Sequence, residues 1–161
     1  MLNDMDMVST VLVVGVVATI TMDIWAVFLS KSFKLPTTNW AMVGRWLGHL
    51  PKGRFMHRPI SSSSKINHEL AVGWVFHYVV GLAYAFVYLI IVQDSPSLMS
   101  AITFGLATVS VPWLILQPGL GYGCFARLAP KPMVSRLISL SMHSVFGIGL
   151  YLGWVVKDAF Y

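Results

Sequence analysis

A single cysteine, Cys124, excludes an intrachain disulfide and leaves a thiolate metal cluster without ligands. Charge is also scarce: 11% of the 161 residues are Asp, Glu, Lys or Arg, and only six are acidic against eleven basic. The chain contains no HExxH pair, Walker loop, cysteine cluster or nucleophile–base–orienter triad. Most familiar enzyme chemistries therefore have no candidate residues, which lowers the case for an enzyme without closing it.

Apolar residues are abundant, at 57% of the chain, and the mean hydropathy is +0.73. A soluble helical bundle would alternate apolar and polar stripes, whereas these segments are apolar nearly all round. Residues 8–29, 70–92, 98–116 and 137–156 each reach the roughly 20 helical residues that cross a hydrocarbon core. The expected fold is all-α: one polytopic membrane domain of four transmembrane helices. Asp4 and Asp6 stand where a secretory signal is basic, and the apolar run after them is long, so the first segment reads as a retained helix.

Ten of the eleven Lys and Arg residues fall in loops 31–68 and 117–136. By the positive-inside bias these loops are cytoplasmic. The termini, with Asp4, Asp6, Asp94, Lys157 and Asp158, are then on the opposite side of the membrane. The sequence pI of 9.6 is accounted for by topology and calls for no nucleic-acid partner. Cys124 falls in the second loop and reads as a reduced thiol.

A weak internal repeat suggests two parallel helical hairpins. Ala18-Thr19 is echoed by Ala107-Thr108, and His77 with Gly81 by His143 with Gly147. Chance similarity among apolar helices weighs equally. In the first loop Trp40, Val43, Leu47 and Leu50 share a helical face, with Arg45 and His49 elsewhere on the wheel, as in an interfacial amphipathic helix. The alternating glycines of 117–123 lack the strand that a nucleotide-binding turn requires, and read as a tight loop with exposed backbone.

Ionisable residues inside membrane helices cost roughly 2.5–3.5 kcal/mol on insertion scales, so each calls for a partner or a function. Asp23, His77 and His143 lie seven or eight residues from the nearest loop charge, which is roughly 10–12 Å along a helix. With Glu69 at the cytoplasmic mouth, they are the candidate site for a proton or a divalent metal. A purely structural hydrogen-bonded cluster, or axial ligation of haem by the His pair, are the other readings. Inward polar stripes are expected on every helix, including Ser100, Thr103, Ala107 and Ser110 on the third. Pro112 is expected to kink that helix and free a carbonyl.

Arg45, Lys52, Arg54, His57, Arg58, Arg127, Lys131 and Arg136 form a second candidate site, for a lipid headgroup or other anion. Topology and solvation alone also explain them. Gly149 and Gly153 form a small-xxx-small pair suited to close helix contact or a homo-oligomer.

One set of residues resembles a known family. It comprises Ala18-Thr19, Met22-Asp23-Ile24-Trp25, Gly44-Arg45, Gly53-Arg54-Phe55 with His57, Glu69, Gly73-Trp74, His77-Tyr78, Gln117-Pro118-Gly119 and His143. The pattern is similar to the bacterial membrane proteins called domain of unknown function 2938. The resemblance implies a bacterial inner membrane and brings no activity with it. Two functions stay open: a small transporter or ion-responsive protein, and a membrane-embedded enzyme or redox subunit binding haem, quinone or lipid.

Overall fold

The computed structural model describes residues 4–93 and 95–160; Asp94, expected on the periplasmic side, lies outside them, as does the side chain of Asp4. The elements in order are α1 (Asp4–Phe33), α2 (Trp40–His49), α3 (Glu69–Val92), α4 (Leu98–Thr108), a π-helical turn (Pro112–Leu116), α5 (Gln117–Leu120) and α6 (Pro132–Phe160). Among the described residues there is no strand. Four helical stretches, Asp6–Phe33, Glu69–Val92, Leu98–Leu120 and Pro132–Phe160, are long and apolar enough to cross a membrane. Three of the four overrun the expected segments by several residues at one or both ends. Hydropathy marks only the hydrocarbon-length part of a helix, while backbone bonding continues past it.

The helix expected around Trp40 forms, with the Asn39 side chain accepting the Met42 N–H at its N-cap. Pro112 does disrupt its helix: it has no N–H for the Thr108 carbonyl, and Gln117 N–H reaches back to Pro112 O in the wider π pattern.

The chain divides into two compact units. One holds Met1–Thr37, Tyr78–Thr108 and Ser141–Tyr161. Its core is Val14 and Ala18 of α1, Ala85, Tyr88 and Leu89 of α3, Ala101 of α4, and Phe146 and Leu150 of α6. Small residues set the helix separations. A Cβ on Gly149 or Gly153 would lie 2.6 Å from the Cα of Ala18 or Val14 respectively. The close contact that this glycine pair permits is thus made with α1 of the same chain. Gly147 faces the backbone of Ala101 and Ile102, Gly105 faces that of His143, and Gly81 faces the Thr19 hydroxyl. Where lipid is the solvent, apolar side chains gain little by leaving it for one another, and such close approach supplies dispersion contact instead. Threonine hydroxyls of α1 are satisfied within the helix: Thr19 and Thr21 donate to Gly15 O and Val17 O, both at 2.7 Å.

The polar stripe expected on α4 is a correction. Thr103, Ala107 and Ser110 are exposed, and Ala101, Gly105 and Thr108 are buried instead. Tight packing selects the smallest residues for the inside, and a Ser or Thr hydroxyl on the outside is able to bond back to its own helix.

The other unit holds Thr38–His77 and Val109–Leu140. Val43 and Trp46 of α2 pack with Ile60 and Leu120, so the buried side of the expected interfacial helix is covered by protein. Here α2 crosses the start of α3 backbone to backbone. A Cβ on Gly44 would collide with the Glu69 carbonyl, and one on Gly73 with the Trp40 carbonyl.

Because these contacts are with backbone, neither partner has room to move aside. Gly153→Leu and Gly73→Ala are each expected to lower stability by at least about 1–3 kcal/mol, the usual range for overpacking. Ala83→Leu, on an exposed side of α3, should leave it within about 0.5 kcal/mol. Thermal unfolding in detergent, followed by helical circular dichroism, measures all three.

Candidate functional site

In the second unit the polar residues of α2 face inward. Arg45 and His49, expected off the apolar face of the helix, are 3% and 1% exposed. The reason is the segment that follows them, whose carbonyls come back over the helix. Arg45 Nε and Nη2 donate to the two Glu69 carboxylate oxygens at 2.9 and 2.8 Å, the paired geometry that a planar guanidinium favours. Arg45 Nη1 donates to Ser61 O and Ser63 O at 3.2 Å and to Ile60 O at 3.5 Å. Glu69 also accepts the Ile66 N–H at 3.4 Å. The Glu69 hydrogen bond raises the Arg45 guanidinium above its already high value, against the opposing effect of burial. The stabilisation this linkage brings requires both charges, so it is lost in strong alkali, where the guanidinium gives up its proton, and in acid strong enough to protonate the Glu69 carboxylate.

One turn along α2, His49 Nε2 lies 3.0 Å from Ser64 O, and His49 Nδ1 lies 3.4 Å from His57 Nε2. His57 in turn contacts Gly119 O through both its backbone N–H and its Nδ1, each at 3.1 Å. Trp46 Nε1 donates to Phe55 O at 2.9 Å, and a Cβ on Gly119 would collide with that indole. The glycine loop therefore does expose backbone, and His57 uses it. His77 is buried, stacked on Trp40 with ring centroids 4.1 Å apart and edge-on to Trp74 at 5.7 Å.

In the first unit two of the expected residues meet hydroxyls. Tyr78 donates to Asp23 Oδ2 at 3.2 Å. His143 Nδ1 lies 2.8 Å from Thr108 Oγ1, which is itself 2.6 Å from Gly105 O. Thr108 has one proton and the carbonyl has none, so Thr108 donates to Gly105 and accepts from His143 Nδ1–H. In that tautomer His143 Nε2 carries the lone pair. Trp25 Nε1 donates to Ser141 Oγ at 3.3 Å in the same unit.

Of the four residues assigned to an ion site, Asp23 and His143 belong to the first unit, and His77 and Glu69 to the second. Glu69 is joined to Arg45. Among the described residues no three His, Cys, Asp or Glu side chains gather as a metal site would require. Of the residues assigned to an anion, Lys52, Arg54, Arg58, Arg127 and Lys131 are exposed, while Arg45 and His57 are buried in the network above. Arg136 donates from Nε to Phe125 O at 2.8 Å. His49, Thr108 and Tyr78 occur in the sequence patterns but are assigned to no site there. The signal was the i, i+4 spacing of Arg45 and His49, which puts two polar groups on one side of a short helix.

Among the described residues, an all-helical fold with four helices long and apolar enough to cross a membrane is that of a chain compatible with the membrane class of protein. It belongs to the family described as protein of unknown function DUF2938, which matches residues 12–157. No curated protein and no solved structure matches the chain.

Removing one member of the ion pair leaves the other charge buried. Glu69→Gln should cost about 2–4 kcal/mol, somewhat below a fully buried pair because Glu69 keeps 15% side-chain exposure. The double variant Arg45→Met/Glu69→Met should lose less than the sum of its single variants, since it removes both charges together. A double-mutant cycle on unfolding midpoints checks both.

Proposed function

We propose that this is a small ion-responsive or transport protein of the bacterial inner membrane in which Asp23 and His143 take up protons within the membrane-crossing helices. The observation that carries the reading is the His143–Thr108–Gly105 chain, which commits Nδ1–H and leaves Nε2 to accept a proton or ligand. Asp23, accepting a tyrosine hydroxyl in α1, is a second group whose charge is costly there. A proton is favoured over a divalent metal because the described residues offer no three-ligand cluster. The basic loops face the cytoplasm in this reading, with exposed Arg54, Arg58, Arg127 and Lys131 available to anionic headgroups.

The two-hairpin arrangement, with duplication, belongs to the same proposal. Its support is that each His-x-x-x-Gly glycine packs on the other long helix of its proposed hairpin: Gly81 on the Thr19 side chain of α1, and Gly147 on the backbone of Ala101 and Ile102 of α4.

The test uses the full chain in lipid vesicles containing a pH dye. Proton entry under an imposed potential should exceed that of empty vesicles and fall about tenfold or more in Asp23→Asn and His143→Gln. Thr108→Val should weaken the response while Thr108→Ser preserves it, because only serine keeps the hydroxyl that orients His143. Infrared difference spectra between acidic and neutral pH report uptake without flux. Parent vesicles as tight as empty ones, with spectra that Asp23→Asn and His143→Gln leave unchanged, would sink the proposal.

A further inference from the structure

We propose that His49 and His57 form a two-coordinate site for a soft monovalent metal ion of the Cu(I) type, separate from the proton-binding residues of the membrane-crossing helices. The case begins with the carbonyls. Ser64 O and Gly119 O have no proton to give, so His49 Nε2 and His57 Nδ1 must both be N–H donors. With one ring proton on each imidazole, the remaining nitrogens, His49 Nδ1 and His57 Nε2, both carry lone pairs. These two nitrogens face each other at 3.4 Å. Two acceptors at that distance form no bond; a cation between them makes two.

The surroundings match those of metal-binding imidazoles. Such a ligand commonly donates its other ring N–H to a backbone carbonyl or a carboxylate, which fixes both tautomer and orientation, and here both rings do so. The rings are 1% and 8% exposed and sit edge-on, with planes 75° apart and centroids 5.1 Å apart, so that nitrogens rather than faces converge. The charge of Arg45, one turn earlier on α2, is already met by Glu69.

The donor count selects the metal. Among the described residues no third His, Cys, Asp or Glu joins the pair, so a four-coordinate Zn(II) site is not built here. A d10 monovalent ion accepts two ligands in line, and imidazole is a good donor to copper. At metal–nitrogen bonds of about 2 Å the nitrogens need about 4 Å between them. The rings must therefore part by roughly 0.6 Å, a movement the loop carrying His57 has only to share with a short helix.

The experiment titrates the full-length protein in detergent with Cu(I), held reduced and buffered by a competing chromophoric chelator. Cys124→Ser serves as the background, because the exposed thiol would itself take copper. One Cu(I) per chain is expected, bound on the order of 100-fold more weakly after His49→Gln or His57→Gln, since loss of a ligand should cost at least what loss of its supporting shell does. Circular dichroism establishes that each variant is folded. Should a variant fail to fold, 15N spectra of the parent decide: His49 Nδ1 and His57 Nε2 shift together when Cu(I) is added, and X-ray absorption shows two nitrogen neighbours. No stoichiometric binding, binding unchanged in both folded variants, or 15N spectra in which the pair keeps a shared N–H···N proton at saturating Cu(I) would each overturn the assignment.

Discussion

Close approach of backbone at glycine is the constraint on which each unit depends. In the first, Gly149 and Gly153 of α6 pack against α1, Gly147 and Gly105 bring α6 and α4 together, and Gly81 leaves room for Thr19. In the second, Gly44 and Gly73 let α2 cross α3 with nothing between the two backbones. Helices in lipid cannot rely on the hydrophobic effect to associate, so the shape of the contact must supply the attraction. The same close crossing fixes where polar side chains on those helices end.

At the α2–α3 crossing this consequence is direct. Gly44 rests on the Glu69 carbonyl, and its neighbour Arg45 meets the Glu69 carboxylate. A buried guanidinium is tolerable only when its donors are met, and here they are met by one carboxylate and three backbone carbonyls. The segment from Ile60 to Ser64 is thereby tied down by hydrogen bonds, beyond the single apolar anchor of Ile60. His49 takes its orientation from Ser64 O of that segment, and His57 takes its own from Gly119 O.

The intramembrane groups follow a different logic. Asp23 and His143 each meet a hydroxyl, and Thr108 passes the His143 contact on to a backbone carbonyl. Hydroxyls act as donor or acceptor as needed, so they satisfy a titratable neighbour without carrying charge themselves. Such pairing is what the proton uptake proposed for these two groups would require, where a fixed salt bridge would hold one state.

Sequence alone determined that the chain is helical, where its four long apolar segments lie, that a short helix runs through Trp40, Val43 and Leu47, and that Pro112 disturbs the third segment. These properties are local: hydropathy over 20 residues, a cap, and a missing N–H each act within a few turns of chain. It also singled out Arg45, Glu69 and His57, but without pairing Arg45 with Glu69 or His57 with His49. Arg45 was expected with Arg54 and Arg58, and Glu69 with Asp23. Tertiary structure alone decided that Arg45 pairs with Glu69 and that His49 faces His57. It also put Thr108, and neither Ser110 nor Thr103, on the inside of its helix. Those outcomes depend on which carbonyls a folded loop presents and which helix surfaces approach closely. A period of 3.6 residues ranks the faces of a helix by polarity, whereas packing ranks them by size, and at Gly44, Gly105 and Gly149 size prevailed.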